Sequence, residues 1–164
     1  MPTPPLIVVM GVSGSGKTTI GELLAETLAV PFVDADHLHP ASNVEKMAAG
    51  QALVDDDRWP WLALVGDALA AASTSGLVVA CSALKRSYRE AILERAPRAR
   101  FVYLHGSPEL LAERMSHRSG HFMPAALLES QLATLEPLEA DEPGISVDID
   151  ENPGQIVQAI AGSL

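Results

Sequence analysis

Near the N-terminus, Gly11-Val12-Ser13-Gly14-Ser15-Gly16-Lys17-Thr18 combines three glycines, one cation and a hydroxyl directly after it in the pattern G-x-x-x-x-G-K-[ST]. Glycines let a backbone turn its N–H groups inward and approach phosphate oxygens closely. A helix beginning at Lys17 adds the positive end of its dipole. Lys17 is then expected to reach the β- and γ-phosphates of a nucleoside triphosphate. The Thr18 hydroxyl ligates Mg²⁺, with Thr19 beside it on the nucleotide side. An apolar run precedes the pattern and helical periodicity follows it, which is the context this chemistry requires.

Other polar clusters fall where a partner substrate could be held. Asp34 and Asp36 lie two apart after a short apolar run. One could face the metal and the other an acceptor alcohol, with Asp36 orienting the hydroxyl and taking its proton. The alternative is that they cap the next helix. Asp55-Asp56-Asp57-Arg58-Trp59-Pro60-Trp61 opens a helix whose dipole suits the three acids. Arg58 is out of place there, and its planar fork suits a carboxylate, either a substrate's or a neighbouring aspartate's. Trp59 and Trp61 read as packing anchors. Lys85 and Arg86 follow another apolar run, and hold an anionic substrate group or simply start an exposed helix; Arg89 reads as an exposed helix residue.

The stretch Arg114-Met115-Ser116-His117-Arg118-Ser119-Gly120-His121-Phe122-Met123-Pro124 joins cations, a glycine and a proline stop. A short lid over about 115–124 would bring Arg118 to the transferring phosphoryl group and exclude water. Arg114 suits the nucleotide base or phosphates. His117 and His121 have no third ligand in view, so lid or substrate contact for His121 is preferred to a metal pair.

Positioning these groups takes a regular scaffold. Leu6–Met10, Phe32–Asp34, Leu77–Ala80, Arg100–Leu104 and Ile145–Ile149 are short and largely apolar, as strands buried on both faces are. Helical segments separate them: Lys17–Ala29, Ala41–Gly50, Asp57 or Arg58 to Ala72, Ser87–Arg95, a helix opened by Pro108, Pro124–Leu135, and a last one from Pro153. Strands alternating with helices predict a parallel α/β sheet covered on both sides, in one domain over 1–164. Ligands of such sheets bind beyond the carboxyl ends of the strands, where the polar clusters fall.

The formal net charge of −10 argues against a nucleic-acid partner. Every Lys and Arg lies between Lys17 and Arg118, so the last 46 residues carry none. Cys81 is alone, which excludes a disulfide framework and reads as a buried thiol. With neither a signal peptide nor an apolar stretch near the roughly 20 residues of a membrane span, a soluble cytoplasmic protein is expected.

Taken together, MGVSGSGKTTIG, DADHLHPASNVEKM, DDDRWPWL, ACSALKRSYRE and RMSHRSGHFMPAALLESQLATLEP resemble the gluconokinases of the shikimate kinase-like P-loop group, over about residues 6–138. HP-x-x-N-x-x-K-M and GHFMP separate that family from shikimate and adenylate kinases. The resemblance implies a three-layer P-loop kinase fold with a five-stranded parallel sheet, ATP and Mg²⁺, D-gluconate as acceptor, 6-phosphogluconate as product and commonly a homodimer. It makes Asp36 the acceptor-alcohol ligand and base, and Arg58, Lys85 and Arg86 carboxylate or polyol contacts. His39, Lys46, His121 and Gln131 match family motifs, and Asn152 and Pro153 fall at the adenine loop. Ala52 and Val54 depart from the expected Pro and small polar residue.

Overall fold

An apolar run without alternation needs apolar neighbours on both faces, and Leu6–Met10 (β1) has them in the computed structural model, which describes residues 3–12, 14–51, 53–116 and 125–163. The remaining elements in chain order are α1 (Lys17–Leu28), β2 (Phe32–Asp34), a 3-10 turn (Ala35–Leu38), α2 (Ala41–Ala48), α3 (Asp55–Ala71), β3 (Leu77–Ala80), α4 (Arg86–Arg95), β4 (Arg100–His105), α5 (Pro108–Ser116), α6 (Ala125–Thr134), β5 (Gly144–Asp148) and α7 (Pro153–Ser163). The five strands form one sheet in the order β2-β3-β1-β4-β5. Every pairing is parallel, with Val8 opposite Val79 on one side and Phe101 on the other.

The central strand divides its side chains between two layers. Leu6, Val8 and Met10 join Trp61, Leu62, Val65 and Leu69 of α3 and Tyr88 and Ile92 of α4. Ile7 and Val9 join Ile20 and Leu24 of α1, Leu111 of α5, Leu128 of α6 and Ile156 and Ile160 of α7. This two-sided burial of a period-2 strand is what the unbroken hydrophobic run encodes, and the expected three-layer arrangement follows.

Element boundaries match the sequence reading within a few residues. The largest shift is α3, which starts at Asp55, two to three residues earlier than expected. Asp57 fixes that start by accepting the Val54 backbone N–H at Oδ2, 2.9 Å away. Ala52 lies outside the described residues. Among the described residues no helix is long and apolar enough to cross a membrane.

Candidate active site

The order β2-β3-β1-β4-β5 places β1 between strands that continue in opposite directions across the sheet, and the loop after β1 sits at that switch point. Gly11 N–H donates to the Ser82 carbonyl beyond β3, joining the two loops. Gly14 and Gly16 adopt φ of 85° and 88°, a region that costs a side-chain-bearing residue but not glycine. Gly16 forms the N-cap of α1 without a side-chain hydrogen bond, and no acid occupies the first turn, so the dipole's positive end is unneutralised. Lys17 folds over the loop, with Nζ donating to the Val12 carbonyl at 3.1 Å. Ser15 Oγ is fully buried and has no hydrogen-bond partner among the described residues.

A cavity of about 220 Å³ opens from this loop, lined by Gly14, Ser15, Gly16, Thr18, Thr19, Ile20, Arg114, Pro153 and Ile156. Arg114 is held there through Nη2 to the Ile149 carbonyl. Pro153 reaches the cavity, whereas the Asn152 side chain caps α7 by accepting Gln155 N–H. The uncapped N-terminus of α1, a buried hydroxyl without a partner among the described residues and the apolar Ile20, Pro153 and Ile156 fit the phosphates and base of a nucleotide.

Thr18 also lines a neighbouring recess with Glu22, Phe32, Val33, Asp34 and His37. Asp34 Oδ1 accepts Asp36 N–H and so caps the 3-10 turn. The capping and ligand readings of Asp34 are therefore compatible. No cluster of three or more metal-ligating side chains occurs among the described residues. That fits Mg²⁺, which is bound by one or two protein groups plus phosphates and water. Asp36 is exposed, at the first turn of the 3-10 helix. Burial pushes the Cys81 thiol up to about 12, and that thiol feels the charges of Lys17, Asp36 and Asp34. All three therefore gather at the carboxyl end of β3, while Cys81 itself stays an un-ionised core residue.

His39 lies flat on Trp61, with centroids 4.3 Å apart. The Trp61 indole donates to the Ala35 carbonyl, tying α3 to the 3-10 turn. Asn43 is buried, and its Nδ2 donates to the Asp57 carbonyl and also meets His39 Nδ1 at 3.2 Å. A carbonyl can only accept, so this nitrogen is the amide donor and His39 Nδ1 carries no proton. Burial accordingly holds the His39 pKa below its ordinary value, against Asp36 and assisted by Arg58.

Beyond β3 a second cavity of about 250 Å³ is lined by Arg58, Trp61, Ser82, Leu84, Lys85, Tyr88, Ser130, Gln131 and Thr134. Arg58 and Lys85 lie over the Tyr88 ring at 5.6 and 5.5 Å from its centroid. Arg58 Nη1 donates to the Tyr88 hydroxyl at 3.2 Å and to Asp55 at 3.4 Å; Lys85 Nζ reaches Asp55 at 3.5 Å. The Tyr88 hydroxyl donates to Asp55 Oδ1 at 2.5 Å, and that bond is the main cause of the lowered Asp55 pKa. Arg58 touches a neighbouring aspartate and also lines the cavity, so the two readings of it are compatible.

Two cations expected at the substrate are found in ion pairs, and the expected exposure of a third is revised. Arg86 is not in this cavity: Asp141 takes both its terminal nitrogens, at 2.9 and 2.6 Å, and Glu139 accepts from one of them at 2.8 Å. Lys46 is committed to both oxygens of Asp57 at 3.0 and 2.8 Å, so it braces α2 against α3. Arg89 is fully buried rather than exposed. Its Nε and Nη2 clasp Glu142 at 2.6 and 2.9 Å, and Nη1 donates to the Ala83 carbonyl at 2.8 Å. Ser13, Arg118 (expected at the transferring phosphoryl group) and His121 (expected at the lid or substrate) lie outside the described residues, as do 117–124 of the expected lid.

Around this cavity the sequence reading gave Asp55 a helix-dipole role only, and gave none to Tyr88, Ser82, Ser130 or Thr134. Spacing carried a signal for Tyr88, three residues after Lys85 and so one turn away at the head of α4. Nothing local could link it to Asp55, 33 residues earlier.

Fold and loop together define a P-loop kinase of the group to which shikimate kinases belong, and a shikimate kinase family model matches residues 13–159. The gluconokinase of Gluconobacter oxydans is 49% identical over 96% of this chain and 89% of its own. The thermosensitive gluconokinase of Escherichia coli is 44% identical over 92% and 82%. The crystal structure of a gluconokinase from Sinorhizobium meliloti is 53% identical, covers 97% of this chain and 91% of that one, and superposes with a TM-score of 0.86. The chain belongs to the gluconokinase family.

Proposed function

We propose that the protein transfers the γ-phosphoryl group of ATP to the terminal hydroxyl of D-gluconate, giving 6-phospho-D-gluconate and ADP. The observation that carries this reading is the cationic cavity of Arg58 and Lys85 over Tyr88, beyond the same sheet edge as the phosphate loop. Two cations and a phenol suit one carboxylate, while Ser82, Ser130, Gln131 and Thr134 offer hydrogen bonds to a polyol chain. The relatives named gluconokinase support the same acceptor.

In this mechanism Asp36 orients the terminal hydroxyl and accepts its proton as the oxygen attacks the γ-phosphorus. A new O–P bond forms, and the bond to the β,γ-bridging oxygen breaks with its electron pair leaving on ADP. Lys17 and the open amides of the loop stabilise the charge on the phosphates. Thr18 and Asp34 are the residues that would hold Mg²⁺, which supplies further neutralisation of that charge. From sequence, Arg118 is the arginine assigned to the transferring group. A cytoplasmic homodimer is part of the same proposal. Its support is the family and the exposed apolar Val44 and Met47 on α2, and analytical ultracentrifugation tests the dimer.

A coupled assay over gluconate, shikimate, related aldonates and adenosine phosphosulfate is the direct test. Gluconate is expected to lead in kcat/KM. Turnover of shikimate above gluconate, or ATP hydrolysis indifferent to every acceptor, would overturn the assignment.

A further inference from the structure

Two cations facing one small cavity repel each other, and long side chains drift into water unless something holds them. In the acceptor cavity that task falls to a residue outside the cavity wall. Asp55 sits in the first turn of α3 and is not among the lining residues, yet Tyr88, Arg58 and Lys85 all converge on its carboxylate. The contacts are unequal. Tyr88 binds it at 2.5 Å, whereas Arg58 and Lys85 stand off at 3.4 and 3.5 Å. Where this protein neutralises an arginine fully, the carboxylate comes to 2.6 Å, as Asp141 does with Arg86. Only Nη1 of Arg58 is engaged, leaving Nε and Nη2 without a partner among the described residues. A carboxylate pinned by a phenol can thus aim two cations without neutralising them.

We propose that Asp55 is a positioning residue for acceptor specificity: anchored by the Tyr88 hydroxyl, it holds Arg58 and Lys85 from behind, so that both present themselves to the carboxylate of the acceptor. The inference rests on the reading that this cavity takes that carboxylate. A neutral polyol gains nothing from the aimed cations, so selectivity for an acid over its alditol should depend on Asp55.

Steady-state kinetics on Asp55→Asn, Asp55→Glu and Tyr88→Phe tests this, with gluconate and with D-glucitol as the neutral acceptor of equal length. Asp55→Asn should raise the gluconate KM roughly tenfold while kcat and the ATP KM stay within about twofold. The preference for gluconate over D-glucitol should fall by the same factor, and Asp55→Glu should recover most of it. Tyr88→Phe should raise the gluconate KM by a smaller factor, and add little in the Asp55→Asn background because both act through one contact. An unchanged or lowered gluconate KM in Asp55→Asn, or equal losses for both acceptors, overturns the role. Arg58→Ala separates the two levels of inference. If that variant leaves the gluconate KM unchanged, the carboxylate site itself is wrong. If it raises KM while Asp55→Asn does not, only the positioning role fails.

Discussion

The donor half of the cleft is built largely from backbone and small residues: Gly11, Gly14, Gly16, Ser15 and the first amides of α1, with Lys17 folded across them. The half proposed for the acceptor is built from cationic, aromatic and amide side chains of α3, α4 with its N-cap, and α6, namely Arg58, Tyr88, Lys85 and Gln131, with Asp55 bonded to the Tyr88 hydroxyl outside the cavity lining. A phosphate chain is common to every nucleotide, and loop amides at the end of one strand suffice to hold it. An acceptor differs from its rivals by a carboxylate or a hydroxyl, and discrimination requires placed, charged side chains from several elements.

If the halves are separable, damage to one should spare the other, and Asp36 offers the largest contrast. It sits exposed at the first turn of the 3-10 helix that follows β2. Asp36→Ala should lower kcat by roughly 10²–10⁴-fold, the range of general-base contributions, while nucleotide affinity measured by calorimetry changes little. Near-normal turnover would remove Asp36 from the proton-accepting role. An equal loss of ATP affinity would show that the halves are not independent.

A second contrast separates the cavity from its foundations. Arg89 and Glu142 form a fully buried pair, and Arg89 also holds the Ala83 carbonyl, where the backbone has a φ of 43°. The loop so fixed carries Ser82, Leu84 and Lys85 into the acceptor cavity. Arg89→Ala strands a buried carboxylate and should cost about 3–5 kcal/mol. For a chain of this length that is a Tm lowered by roughly 6–20 °C. Replacing both partners by leucine should cost less than Arg89→Ala alone, since no charge is left buried. A double variant as unstable as the single one would mean that the bond to Ala83, rather than the ion pair, carries the stability.

These contrasts also explain what could be read without coordinates. Strands buried on both faces and a phosphate loop are local patterns, so the β1–loop–α1 unit and the three-layer sheet were legible from Leu6 to Thr18 and from the alternation that follows. Family motifs picked out Arg58, Lys85 and Gln131, which line one cavity. The ion pairs of Lys46 and Arg86 were not legible, because a cation in a motif looks alike whether it meets a ligand or a carboxylate. The acids that decide this, Asp57 for Lys46 and Asp141 for Arg86, are 11 and 55 residues away. Arg89 was taken as exposed because charge normally marks the wet face of a helix. Yet it shares a face with Ile92, three residues on, and its partner Glu142 comes from the connection before β5.

The smallest expected effect concerns pH. His39 belongs to the HP-x-x-N-x-x-K-M motif, and its environment joins the acceptor side to the Asp36 turn through Trp61 and Asn43. Burial depresses its pKa, so the folded protein binds fewer protons there than the unfolded chain. The contribution to stability is therefore complete above the unfolded value of about 6.5 and is lost as pH falls through the lowered folded value. Asp55, Asp57, Asp141 and Glu142 also have lowered pKa values, but their contribution is complete above the ordinary carboxylate range of about 4 and is lost only below it. For Glu142 burial is the largest single influence and acts upward, but the Arg89 hydrogen bond, the Glu139 N–H and the charges of Arg89 and Arg86 together outweigh it. Urea unfolding from pH 7.5 to 5 should then show a small decline in the wild type. His39→Gln should lack that decline and share the steeper loss below about pH 4. If the variant declines like the wild type, the neutral ring on Trp61 is not the group that titrates, and the motif's histidine braces the turn by stacking alone.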